Sequence, residues 1–161
     1  MQIKGLIDED FVNYKLPSMF ISACFCDWKC CKEANIPIHI CQNQSIADMP
    51  NINISAMDIY NRYINNPITK AIVIGGLEPM LQQDEVLELI RCFREQGCND
   101  DIIIYTGYEL NEVAPFITQL PKEYSNIILK VGRFIPGQEY HYDDILGVHL
   151  CSDNQQGVQL C

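Results

Sequence analysis

Five cysteines, Cys24, Cys26, Cys30, Cys31 and Cys41, fall within the eighteen residues CFCDWKCCKEANIPIHIC. Thiolates at short loop spacings are the donors that hold an iron–sulfur cluster or a zinc ion. A structural zinc wants four donors, which Cys26, Cys30, Cys31 and Cys41 supply, or three of them with His39. Cys30 and Cys31 are adjacent and do not both reach one metal comfortably. Cys30 keeps a three-residue gap after Cys26 and is the expected ligand of the two, with Cys31 as the alternative. Cys24 closes an apolar stretch and is expected to pack.

The remaining cysteines, Cys92, Cys98, Cys151 and Cys161, are scattered, and the total of nine is odd. Without a signal-like leader such a set reads as reduced thiols, not disulfides. The N-terminal stretch MQIKGLIDEDFVNYK is charged throughout, and no window reaches the ~18 apolar residues of a membrane span. A cytoplasmic location is therefore expected. A net charge of −10 argues against a nucleic-acid substrate, because phosphate binding needs clustered Lys and Arg. The 48% apolar and 20% charged content suits one globular domain over 1–161 with a sizeable core.

Strand-like and helix-like segments alternate. Ser18–Cys24, Lys70–Ile74, Asp101–Tyr105 and Ile127–Val131 are short, apolar and β-prone, and Ile145–Leu150 reads as the last strand. Ser55–Asn65 has a Ser cap and apolar residues Met57, Ile59, Tyr60, Tyr63 and Ile64 at helical spacing. Leu81–Gln96 presents Val86, Leu89, Ile90 and Phe93 on one face, with Gly97 as its stop. Glu109–Leu120 reads as a helix despite Pro115. This alternation predicts an α/β fold with a mostly parallel sheet of five or six strands, too few for a closed eight-stranded barrel and suited to an open partial (β/α) barrel. Ligands of such sheets sit at the carboxyl ends of the strands. Here those ends are the cysteine loop, Gly75-Gly76, Thr106-Gly107 and Gly132-Arg133.

The segments Cys26-Asp27-Trp28-Lys29-Cys30, Cys41-Gln42-Asn43, Gly75-Gly76-Leu77-Glu78-Pro79, Tyr105-Thr106-Gly107-Tyr108, Gly132-Arg133-Phe134 and Ser152-Asp153-Asn154-Gln155 together carry a resemblance. From about Pro17 to Leu160 the chain resembles the radical S-adenosylmethionine superfamily, and within it the activating enzymes of anaerobic ribonucleotide reductase. Two departures stand out. Position 33, where the family's C-x3-C-x2-C motif has its third cysteine, is Glu, so that Cys41 in that role gives C-x3-C-x10-C. Leu77 is also an extra residue in the Gly-Gly-Glu-Pro string.

The resemblance implies a 4Fe-4S cluster on Cys26, Cys30 and Cys41, with Cys31 as the alternative third ligand. It implies S-adenosylmethionine as the second cofactor, bound by Gly75, Gly76, Glu78, Thr106 and Asn43, with Glu78 accepting from the methionine ammonium. Reductive cleavage would yield a 5′-deoxyadenosyl radical that takes hydrogen from a glycine of a large partner enzyme. The electron would come from a flavodoxin or ferredoxin. The same residues also support a radical enzyme acting on a small molecule or peptide, and a non-catalytic iron–sulfur or zinc module. Each motif has a plainer reading: Gly75-Gly76 as a turn, Thr106 as a helix cap, Arg133 as a surface charge, Trp28 as a loop anchor. His141 and His149 lack partners at metal spacing, and Asp143-Asp144 reads as solvated charge.

Overall fold

The computed structural model describes residues 1–160. Its strands are β1 (Gln2–Ile3), β2 (Gly5–Asp10), β3 (Ser18–Ser22), β4 (Ile52–Asn53), β5 (Ala71–Gly75), β6 (Asp101–Tyr105), β7 (Ile127–Val131), β8 (His141–Asp143), β9 (Val148–Leu150) and β10 (Gln156–Gln159). Its α-helices are α1 (Lys29–Glu33), α2 (Gln44–Ala47), α3 (Ala56–Ile64), α4 (Gln83–Glu95) and α5 (Ala114–Ile117). The main sheet has six strands in the order β10-β7-β6-β5-β3-β2. β3, β5, β6 and β7 run parallel, while β2 and β10 flank them antiparallel. The expected mostly parallel α/β sheet is present.

The central strands are apolar on both sides because both faces are covered. Met19, Ile21, Ile72, Ile74, Ile102, Ile104, Ile127, Leu129 and Val131 pack in one cluster with Ile59 and Tyr63 of α3 and Val86, Leu89, Ile90 and Phe93 of α4. On the other face Ala71, Val73, Ile103 and Ile128 meet Tyr14, Leu146 and Leu150. Each fully buried Ile or Leu contributes roughly 1.5–3 kcal/mol through the apolar area it removes from water. Helix α3 buries Ala56, Ile59 and Tyr63 and leaves Met57 and Ile64 exposed, a narrower stripe than the apolar spacing implied. Ser55 caps it as expected, its Oγ accepting from Asp58 N at 3.0 Å. Ser55→Ala is expected to lower stability by about 1 kcal/mol in urea melts, with no change in the slope.

Two elements differ from expectation. Val148–Leu150 does not join the main sheet; it pairs with β8 in a two-stranded unit. The sheet is completed instead by two strands that the sequence did not single out, β2 and β10; β10 opens with Gln156-Gly157 and lacks an apolar run. The helix expected over Glu109–Leu120 shrinks to the four residues of α5, with Pro115 in its first turn, where its missing N–H costs nothing. Asp143 is not merely solvated charge: its carboxylate accepts from Leu146 N at 2.8 Å and Gly157 N at 2.7 Å.

Candidate functional site

Strand β3 delivers the cysteine segment to the carboxyl end of the sheet. Ala23 N donates to Gly75 O at 2.7 Å and Cys24 N to Gln82 Oε1 at 2.7 Å, so the chain leaves the strand pinned to the Gly-Gly loop. Cys24 is buried there, as its apolar neighbours suggested. Glu78 N then donates to Phe25 O at 2.7 Å. Trp28 adopts the left-handed region at φ 58°, which costs an L-residue about 1 kcal/mol, and its N–H donates to Cys26 Sγ at 3.3 Å. α1 follows at once and carries Cys30 and Cys31 about a quarter-turn apart.

Four thiols gather in this segment. Cys30 Sγ lies against Gly107: a Cβ built there would meet the sulfur at 2.6 Å. Phe134 N–H donates to the same thiol, so loops after β6 and β7 both close on Cys30. Cys31 is 3% exposed and in hydrogen-bond contact with Cys41, which also lies within electrostatic reach of Cys26. Among the described residues, no three His, Cys, Asp or Glu side chains converge as donors to a single ion. The thiolates of a 4Fe-4S cluster bind separate irons and therefore stand farther apart than the sulfurs around one zinc. Soft donors from one loop, with a side-chain-free surface at Gly107, fit such a cluster.

Behind the thiols, Glu78 ties the rim together. It is 5% exposed. Its carboxylate accepts from Thr106 Oγ1 at 2.6 Å, Met80 N at 3.0 Å and Gly107 N at 2.9 Å. A carboxylate has about four lone-pair positions, so three are already used inside the protein. Glu78 and Thr106 are thus brought together, by a bond to each other. Gly75 is hemmed by Tyr105 and Phe20, its missing Cβ lying 3.0 Å from Tyr105 Cβ, and Gly76 takes φ +77° beside Ser22. The additional Leu77 is buried. Asn43 is exposed at the start of α2, where its side chain makes no capping bond.

A network that the sequence did not single out clamps α1 to the rim. Arg133 is buried, not a surface charge. Its guanidinium donates to both carboxylate oxygens of Glu33 at 2.8 and 3.2 Å, to Glu112 at 2.9 Å and to Gly107 O at 2.5 Å. Lys29 pairs with Glu112, and both Lys29 and Arg133 lie over the Tyr108 ring. Tyr108 OH in turn donates to Asp27 at 2.9 Å. Glu33, where the C-x3-C-x2-C motif would have its third cysteine, is thereby committed to Arg133. The signal available in the sequence was the Glu at that position paired with an Arg at a strand end.

Burial is the main electrostatic influence here. It pushes the Cys26 thiol up to about 12, against the opposing Trp28 N–H, and raises Cys30 and Cys31 as well. Metal uptake by these thiols must release protons. Burial also raises Glu78, opposed by its three donors. Lys130 is drawn down to about 8 by burial, with Cys30 and Glu78 pulling the other way.

The family model of the 4Fe-4S single cluster domain matches residues 18–155. The chain belongs to that family. No curated protein and no solved structure matched it. The match starts with β3 and ends at Gln155, so this 4Fe-4S single cluster domain includes every thiol of the cysteine segment and every rim loop. Membership supports a 4Fe-4S cluster as the group the chain carries. No helix among the described residues is long and apolar enough to cross a membrane.

Proposed function

We propose that this 4Fe-4S domain is a radical S-adenosylmethionine enzyme of the glycyl-radical activating type, with Cys26, Cys30 and Cys41 as cluster ligands. The observation that carries the reading is the seat of Cys30: its sulfur lies on Gly107, beside the Glu78–Thr106 pair, at the carboxyl ends of β5, β6 and β7. We read the six-stranded sheet as an open partial barrel whose rim is the ligand site. The chemistry a bound cluster supplies is one electron for cleaving S-adenosylmethionine to methionine and a 5′-deoxyadenosyl radical.

The chain's own part is placement. Glu78 holds Thr106 and Gly107 in register, and its remaining lone pair accepts from the methionine ammonium. Gly75 and Gly76 let backbone approach the ligand without a side chain between. Leu77 and Trp28 limit water. The partner is a large glycyl-radical enzyme that completes the site, and a flavodoxin or ferredoxin supplies the electron.

Protein reconstituted without oxygen is expected to hold about four irons and four sulfides per chain and to release 5′-deoxyadenosine when reduced with S-adenosylmethionine. Cluster-loaded, reduced protein that leaves S-adenosylmethionine intact ends the enzyme reading. The internal use of Glu78 favours one second reading, a cluster-carrying module without turnover, and that outcome would select it. Cleavage without transfer of the radical to a glycyl-radical enzyme would instead indicate a small-molecule or peptide substrate.

A further inference from the structure

We propose that Lys130 is an electrostatic tuning residue, whose buried ammonium raises the reduction potential of a cluster held through Cys30. The inference rests on Cys30 being a ligand, as argued above. The central strands are AIVIG, DIIIY and IILKV, and Lys130 is the charged residue buried within their shared apolar sheet, whereas Asp101 lies partly exposed at a strand start. It pairs in register with Tyr105 on one side and Gly157 on the other, on the face that carries Ile103 and Ile128 two residues earlier. Only 7% of it is exposed.

Its ammonium has three donors, and one is used, to Gly132 O at 3.1 Å. Among the described residues no carboxylate forms an ion pair with it. The chain leads from Gly132 directly to Phe134, whose N–H reaches Cys30, and Cys30 also rests on Gly107 at the end of the neighbouring strand. Lys130 lies within electrostatic reach of the thiol, inside the sheet and away from water.

Burying an ammonium costs several kcal/mol unless an anion meets it. Thiolates on an iron–sulfur cluster provide that anion, and their assembly becomes more negative by one charge on reduction. A fixed cation in a low-dielectric setting stabilises the more negative state more strongly. Net charge near a cluster is one of the factors that set its potential. Loss of the charge therefore makes the cluster harder to reduce.

The test is a spectroscopic redox titration of anaerobically reconstituted wild type, Lys130→Met, Lys130→Gln and Lys130→Arg, with iron and sulfide counted in each. Removing a buried charge does not threaten folding, and thermal melts check this. Lys130→Met and Lys130→Gln are expected to load fully and to show about a tenfold smaller equilibrium constant for reduction, equivalent to about 59 mV for one electron. Lys130→Arg is expected to stay near wild type. Loaded Met and Gln variants with the wild-type midpoint overturn the proposal. So does a Gln variant that alone behaves as wild type, because its amide keeps the bond to Gly132 without the charge. Cys30→Ala, run alongside, separates the two readings: a fully retained cluster removes Cys30 from the ligand set, whatever Lys130 does.

Discussion

Cys41→Ala, reconstituted without oxygen, is expected to lose nearly all its iron, while Cys31→Ala keeps it. In the proposed site the cluster hangs on three thiolates, so removing one would leave two irons exposed to solvent ligands and the assembly would fall apart. Loss of a mere supporting partner already weakens metal sites roughly ten- to a hundredfold, and loss of a direct ligand costs more. Cys41 is half-buried at the end of a one-turn helix over Ile38–Ile40, within electrostatic reach of Cys26. Cys31 is the buried residue of α1 and contributes packing. Iron and acid-labile sulfide per chain, with the charge-transfer absorbance, read the result. The reverse pattern moves the third ligand to Cys31, and full loading in both variants takes the third ligand out of this pair. Gly107→Ala belongs in the same series: its methyl group would sit 2.6 Å from Cys30 Sγ and must displace that sulfur. Slower and less complete loading is expected from it.

Arg133→Met is expected to lower stability by about 2 kcal/mol, most of it through Glu112. Arg133 is buried and Glu112 mostly so, whereas Glu33 is half exposed and screened by water. Burial alone would raise Glu112, but Lys29, the Glu109 N–H and Arg133 outweigh it and take the carboxyl from 4.5 to about 2. A carboxyl lowered by folding adds stability that is complete above 4.5 and fades as pH falls through about 2. The gap between wild type and Arg133→Met in urea melts should therefore narrow over that interval. A gap that persists unchanged to the acid end would assign the loss to packing against Tyr108 instead. Because the same guanidinium holds α1 through Glu33, the variant is also expected to lose bound cluster faster than wild type on exposure to a chelator.

Much of this was legible along the chain. Runs such as KAIVI, DIIIY and IILKV, each followed by glycine or threonine, mark buried parallel strands and their loop ends, because a strand covered on both faces has no polar position to spare. The Ser55 cap and the α4 stripe with Gly97 behind it are signals contained within a single helix. The thiol donors were equally plain, since soft ligands at short spacing have few other uses. β10 escaped notice because its residues, Gln156-Gly157-Val158-Gln159, carry no apolar alternation; pairing with β7 makes it a strand. The long helix that Glu109–Leu120 suggested failed at Pro115, where local chemistry overrode the apolar spacing.

Other features became visible only once distant segments met. Arg133 could not be told from a surface charge until Glu33, one hundred positions earlier, closed on it. Glu78 looked free to greet a ligand, yet most of its carboxylate is occupied by Thr106, Met80 and Gly107. Lys130 stands out only once the strands around it close into a sealed sheet with the Cys30 thiol in electrostatic reach. Periodicity and donor type are properties of neighbouring residues, so the linear chain carries them. Ion pairs, lone-pair occupancy and burial depend on what the folded backbone brings within a few ångströms, and that is a property of the tertiary structure alone.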